Sequence, residues 1–182
     1  MFATDKVYKL NRRSRYNHTM KMESSEVFDS LEGHLKATDE MDLVVLRGHL
    51  ILEQCLNALL THWIAPDRLP KLNLMFAKKV DLYEALQKPG QHWAGEIAHL
   101  RELNRIRNKL AHQLPSKPGH QADVKKWACS VVGYTPKTIN RRVTYRRIVL
   151  KAFYLLTGYL SGAASMAEVV KADNKKRGLL RI

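Results

Sequence analysis

Residues 39–64 read DEMDLVVLRGHLILEQCLNALLTHWI. Leu46, Leu50, Glu53, Leu56, Leu60 and Trp63 recur every three or four residues, the spacing of one face of an α-helix. Val44, Val45, Ile51, Leu52, Cys55 and Leu59 widen that stripe until most of the helix circumference is apolar. A helix apolar on so many sides belongs in the middle of a core, with other helices around it. Arg47, His49 and Glu53 interrupt it. Polar groups there need hydrogen-bonded or ion-paired partners at the core edge, or else they support a site on a neighbouring helix.

The same periodicity extends outward in both directions. A first helix is expected after Ser24 or Ser25, through Val27, Phe28, Leu31 and Leu35, with acids in its first turn. "APDRLPKLN" (65–73) is a Pro-punctuated connection, and a helix with Leu74, Phe76, Val80, Tyr83 and Leu86 follows it. "KPGQ" ends that element, and a further helix is expected from His92 to His112. "LPSKPGH" breaks the chain, a short helix covers Asp123 to Val132, and a last one runs from Ile139 to Ala172. The sum is an all-α chain, an antiparallel bundle of five or six helices. Its organisation reads as a basic arm at 1–21, one helical domain at 22–173 and a basic tail at 174–182.

With 182 residues, 45% of them hydrophobic and 26% charged, the chain is an ordinary globular one. Its net charge of +14 exceeds what solubility needs and points to an anionic partner. Two cysteines, Cys55 and Cys129, make no disulfide framework, and no Cys/His spacing suits zinc. No metal or cofactor is expected. No apolar leader follows the basic N-terminal residues. The uncharged run Ala152–Ala167 is short for a membrane span, which needs about 20 residues. These features predict a cytoplasmic protein without a membrane partner. Gly158 and Gly162, four residues apart within that run, predict close helix packing in the core.

On a helical wheel with Ile97 at zero, Leu100, Leu103, Ile106 and Leu110 define an apolar arc centred near 250° at about 100° per residue. Arg107 falls at about 280°, inside the arc; Asn104, Asn108 and His112 lie at about 340°, 20° and 60°. An arginine on an apolar face must pair, reach water or border a cleft. Glu53 is the candidate internal partner. Asn108 and His112 share a face, whereas Arg107 and His112 are about 140° apart. They converge only if the helix frays before His112 or if two copies meet about a two-fold axis.

The stretch Arg107-Asn108-Lys109-Leu110-Ala111-His112 resembles the motif of the HEPN superfamily (higher eukaryotes and prokaryotes nucleotide-binding): an Arg, a polar residue, three residues of any kind and a His. The resemblance implies a small all-α domain over roughly residues 25–172, a homodimer, and a metal-independent ribonuclease, often a toxin of toxin–antitoxin or antiviral defence systems. It implies that His112 is general acid or base toward the RNA 2′-hydroxyl or the leaving oxygen, that Arg107 binds the scissile phosphate, and that Asn108 orients one of them. Histidine exchanges protons near neutral pH, and the planar, permanently charged guanidinium of arginine suits phosphate. Glu53 and Asn104 would support the site from behind. One toxin subgroup carries a Tyr two residues after the His, the target of a modifying antitoxin; here that position is Leu114. An antitoxin or regulatory protein is thus an expected partner, but not through that modification. Proteins similar to the mannitol-operon repressor carry a comparable Arg-Asn…His segment, which implies the alternative of a non-catalytic regulator or binding module. Arg141, Arg142, Arg146 and Arg147 are candidates for an RNA-backbone track, with Tyr145 offering a surface for base stacking.

Overall fold

A computed structural model describes residues 33, 35, 40–87, 94–112, 118–135 and 142–176. The helices are α1 (Met41–Leu60), α2 (Phe76–Leu86), α3 (Ala94–His112), α4 (Pro118–Val132) and α5 (Arg142–Lys176). A short 3-10 turn, Leu69–Leu72, lies between α1 and α2. No strand occurs among the described residues, as the all-α reading requires. The basic arm and most of the expected first helix lie outside the described residues; within it Gly33 and Leu35 are helical, and Leu35 is fully buried.

Two boundaries differ from expectation. α4 starts five residues early, at Pro118. Proline at the first helical position gives up an N–H that has no partner there anyway, so "KPG" opens a helix instead of breaking one. α5 continues to Lys176, so residues 174–176 of the expected tail form its last turn. α4 stops where Gly133 takes φ +77 and Tyr134 N–H bonds the Cys129 carbonyl at 2.8 Å. Such a left-handed stop favours glycine.

α1 is central, but its buried face is rotated from the expected stripe. Leu50 is 54% and Trp63 44% exposed, whereas Val44, Val45, Leu52, Leu56, Leu59 and Leu60 are fully buried. The residues read as widening the stripe carry much of the core. A wide apolar band has no sharp centre, so its mean direction can be misjudged by a full turn position.

The paired residues fix the helix directions. His49 meets Phe76, Glu53 meets Lys79 and Trp63 meets Tyr83, so α1 and α2 run in the same sense. Arg101 pairs with Asp81 and Glu84, and Trp127 Nε1 donates to the His99 carbonyl while Lys109 pairs with Asp123. α3 is therefore antiparallel to α4 and runs against α2. Tyr145 reaches Gln121 and Phe153 packs on Trp127, so α4 and α5 run together. The expected antiparallel order thus holds for the short connections, 87–93 and 113–117. It fails between α1 and α2, where the chain from Thr61 to Met75 is long enough to return, and between α4 and α5, joined by residues 133–141. The C-terminal ends of α1 and α2 gather with the start of α3. The starts of α1, α2 and α4 gather at the other end, where α3 finishes at His112.

α5 lies along α1 in an extensive contact that is closest at Gly48. A Cβ built on Gly48 would overlap Cε1 and Cζ of Phe153, whose ring is fully buried against Trp127. Met41–Leu60 and Thr144–Asn174 are both long and apolar enough to cross a membrane by length and composition; 56% of the first window but only 39% of the second is buried in the protein. α1 thus behaves as a core helix, while α5 leaves apolar surface uncovered.

The Gly48 contact sets a prediction. Gly48→Ala gains about 1 kcal/mol of helix propensity but forces Phe153 off its seat at an overpacking cost of about 1–3 kcal/mol. Because the Phe153 ring has no free space to enter, the expected outcome is net destabilisation, read as a lower urea midpoint with unchanged slope.

Candidate functional site

The candidate site is a polar seam where α1, α2 and α3 meet. His49 on α1 is 97% buried, being 3% exposed. Its ring lies against Phe76 with centroids 4.3 Å apart, and Nε2 is 3.4 Å from Asn104 Oδ1. In the tautomer that donates from Nε2, Nδ1 is an acceptor with no hydrogen-bond partner in the interior. Burial first, then the positive charge of Arg107, holds the His49 pKa below the ordinary value; the bond to Asn104 and the Glu53 carboxylate oppose that shift. His49 is thus kept neutral.

Glu53, one turn further along α1, accepts a hydrogen bond from Lys79 Nζ at 2.6 Å. This corrects the expectation that Glu53 neutralises Arg107. Lys79 rises from the facing turn of α2, where α2 runs parallel to α1, and it reaches the carboxylate first. Lys79 is the residue that the sequence did not single out. Its only signal was a cation three residues after Phe76 in a helix otherwise apolar on that side.

Arg107 is half-buried, and its Nη1 donates to Asn108 Oδ1 at 3.1 Å. Among the described residues no carboxylate pairs with it, although its charge is felt at His49. The other cations of α3 are matched. Arg101 contacts Asp81 at 2.9 Å and Glu84 at 2.6 Å; Arg105 contacts Glu102 at 2.5 Å; Lys109 contacts Asp123 at 2.9 Å. Those ion pairs hold the Asp81, Glu102 and Asp123 carboxyls below the usual range, the hydrogen bond from the cation being the main cause in each. Arg107 is thus the one arginine or lysine of α3 without a carboxylate partner among the described residues.

His112 is exposed and is the last residue of α3. The helix is unbroken to that point, so fraying does not bring His112 to Arg107. Asn108, also exposed, lies between them along the helix and holds the Arg107 guanidinium through its side-chain oxygen. Within one chain, Arg107 and Asn108 form one unit with the His49–Asn104 pair behind it, and His112 stands about 140° round the helix.

The arginines of α5 separate. Arg141 lies outside the described residues. Arg142 opens α5. Arg146 Nη2 donates to the Leu35 carbonyl at 3.0 Å and so joins the first helical segment to the bundle, whereas Arg147 is exposed. Tyr145 is half-buried with its hydroxyl directed at the Gln121 carbonyl, 3.4 Å away, and burial raises its pKa well above the phenol range. It packs partly against the core of the bundle.

Among the described residues no group of His, Cys, Asp and Glu is arranged to hold a metal ion. Cys55 and Cys129 are buried, and burial pushes the Cys55 thiol up to about 11, away from reactivity at neutral pH. No protein-family model, curated protein or solved structure matches the chain.

The buried imidazole makes stability depend on pH. The folded His49 pKa lies below the ordinary 6.5, so the unfolded chain takes up the proton first as pH falls. Its contribution is complete above 6.5 and is lost as pH drops through the folded value. His99, lowered mainly by burial, acts with the same sign. Urea unfolding between pH 8 and pH 5 should show falling stability, and His49→Gln should flatten that fall.

Proposed function

We propose that this protein is a metal-independent endoribonuclease of the HEPN type, working through Arg107, Asn108 and His112 at a cleft between two copies. The observation that carries the reading is the unmatched Arg107 guanidinium beside a neutral, buried His49, on a helix whose other cations are all paired. A half-buried guanidinium held in place by Asn108 is a site for a phosphate, which it meets with two parallel hydrogen bonds. The end of the bundle where α3 finishes supports this. α2 and α4 begin there with no acidic residue in their first turns, so their free N–H groups add positive potential. The net charge of +14 draws a polyanion to the whole molecule.

The chemistry needs a base and an acid. One His112 removes the proton of the RNA 2′-hydroxyl, whose oxygen attacks the adjacent phosphorus. The partner's His112 protonates the departing 5′-oxygen, leaving a 2′,3′-cyclic phosphate and a free 5′-hydroxyl. Arg107 offsets the charge that builds on the non-bridging oxygens. The 2′-hydroxyl supplies the nucleophile, so neither metal nor cofactor is called for and DNA is not a substrate. An enzyme with this activity in a cytoplasm calls for a partner that restrains it, an antitoxin or regulatory protein.

One observation favours a second reading. In a single chain the intact helix directs Arg107 and His112 apart, which fits a regulator or binding module that uses Arg107 without catalysis. Cleavage of single-stranded RNA by the purified protein in excess EDTA separates the two. Arg107→Ala and His112→Ala should each lower the rate by about 10²-fold or more, the scale of a lost acid–base or charge-stabilising group. Binding that survives His112→Ala, with no cleavage in the wild type, would establish the regulator instead.

A further inference from the structure

α5 has 35 residues, against 20 in α1 and 11 in α2. It therefore runs past the point where both neighbours stop, and one stripe along it records the change. Val149, Ala152 and Leu156 are buried. Continuing at alternating spacings of three and four, Tyr159 and Ala163 are half-buried, and Met166 and Val170 are 62% and 43% exposed. This is the heptad seam of a helix packed against helices, and its second half has lost its partner. The seam opens into a groove of about 560 Å³ walled by Trp63, Tyr83 and Leu86 from the ends of α1 and α2. The Tyr83 and Tyr159 hydroxyls, 2.9 Å apart, lie at its base. Gly162 does not supply the close helix packing expected of it: it lines the groove together with Gly158, and a Cβ on it would meet nothing within 4 Å.

We infer that this groove seats α5 of a second copy of the chain, the two helices antiparallel about a two-fold axis between Ala163 and Met166. The seam is self-complementary about that point. Each Met166 falls over the partner helix at its small Ala163 position, beside the Gly162 hollow, and each Val170 falls opposite the Tyr159 position. Charge selects the same occupant. In a chain of net charge +14, the run Ala152–Ala167 carries none and Glu168, Lys171 and Asp173 beyond it nearly offset one another, so this is where two copies approach with least repulsion, and Lys171 is the one Lys or Arg side chain among the lining residues for an acidic partner to pair with. The heptad continuity selects a helix over a small ligand.

This interface is independent of the ribonuclease reading. The groove lies where α3 begins, and His112 is about 27 Å away along that helix at a rise of 1.5 Å per residue.

The test is sedimentation equilibrium of the full chain and of two variants, with circular dichroism as the check on folding. Gly162→Phe fills the groove from a position with open space around it, and Met166→Glu places a charge on an exposed seam residue. Each variant is expected to keep its helicity and to halve the mass of the wild-type assembly. Masses unchanged in both variants, or a wild type that is monomeric throughout, would overturn the inference. So would a monomer that floats with zwitterionic vesicles and loses that binding on Met166→Glu, since the face would then belong to lipid.

Discussion

α1 is enclosed by α2, α3 and α5, and this enclosure governs the rest of the molecule. A helix covered on three sides has to meet each neighbour on its own terms. Toward α5 it presents Gly48, because nothing larger lets the Phe153 ring lie against the backbone. Toward α2 and α3 it presents His49 and Glu53, which are too polar to be left without partners at that depth. The second requirement draws in Asn104 and Lys79, and so sets how α2 and α3 sit on α1. Had α1 been apolar there, α3 could slide or rotate by a residue with little penalty. The polar contacts fix its register and, with it, the direction of Arg107.

That register explains why one cation differs from its neighbours. α3 carries Arg101, Arg105, Arg107 and Lys109 in its second half. Asp81 and Glu84 on α2, Glu102 on α3 and Asp123 on α4 take up three of them on the outer faces. Most of those pairs are solvent-exposed and contribute little to stability. What they do is leave no carboxylate over for Arg107. Its position nearer the seam makes the distinction matter, because a partly desolvated positive charge attracts an anion more strongly than an exposed one.

Much of this was legible in the sequence, and the failures have physical causes. The helical class and the central role of residues 41–60 follow from apolar spacing, and the end of α3 at His112 from the Pro-rich stretch after it. Arg107 stood out because it breaks that spacing. Its relation to Glu53 was misjudged because a wheel shows which face a residue occupies, but not which neighbouring helix supplies a competing partner. Lys79 became that competitor only because α2 runs parallel to α1, and this depends on the path of the 61–75 connection. The stripe of α1 was mis-centred for a similar reason: Leu50 and Trp63 are as apolar as the core residues, and only the arrangement of neighbours decides which are covered. Arg146 looked like part of a basic surface, yet it serves as a donor to the Leu35 carbonyl, a contact 111 residues away in sequence.

The parallel sense of α1, α2, α4 and α5 gives the bundle two unlike ends. At one end four helices begin, and α3 arrives with Arg107, Asn108 and His112; the helix N-termini there each add a partial positive charge. At the other end α1 and α2 finish, α5 runs on alone, and the exposed side chains include Trp63, Met166, Val169 and Val170. An isolated helix segment of a dozen residues is marginal in water, so the overhang of α5 gains most from a packed apolar partner. The cationic end gains most from an anion. The two-fold contact inferred at the apolar end would bury that surface without covering the cationic end of either copy, so it would compete neither with a polyanion nor with the proposed pairing of His112 for the same ground. The sequence separates the two properties along the chain, with no charge from Ala152 to Ala167 and an uncompensated one at Arg107, and the helix directions turn that separation into opposite poles of the molecule.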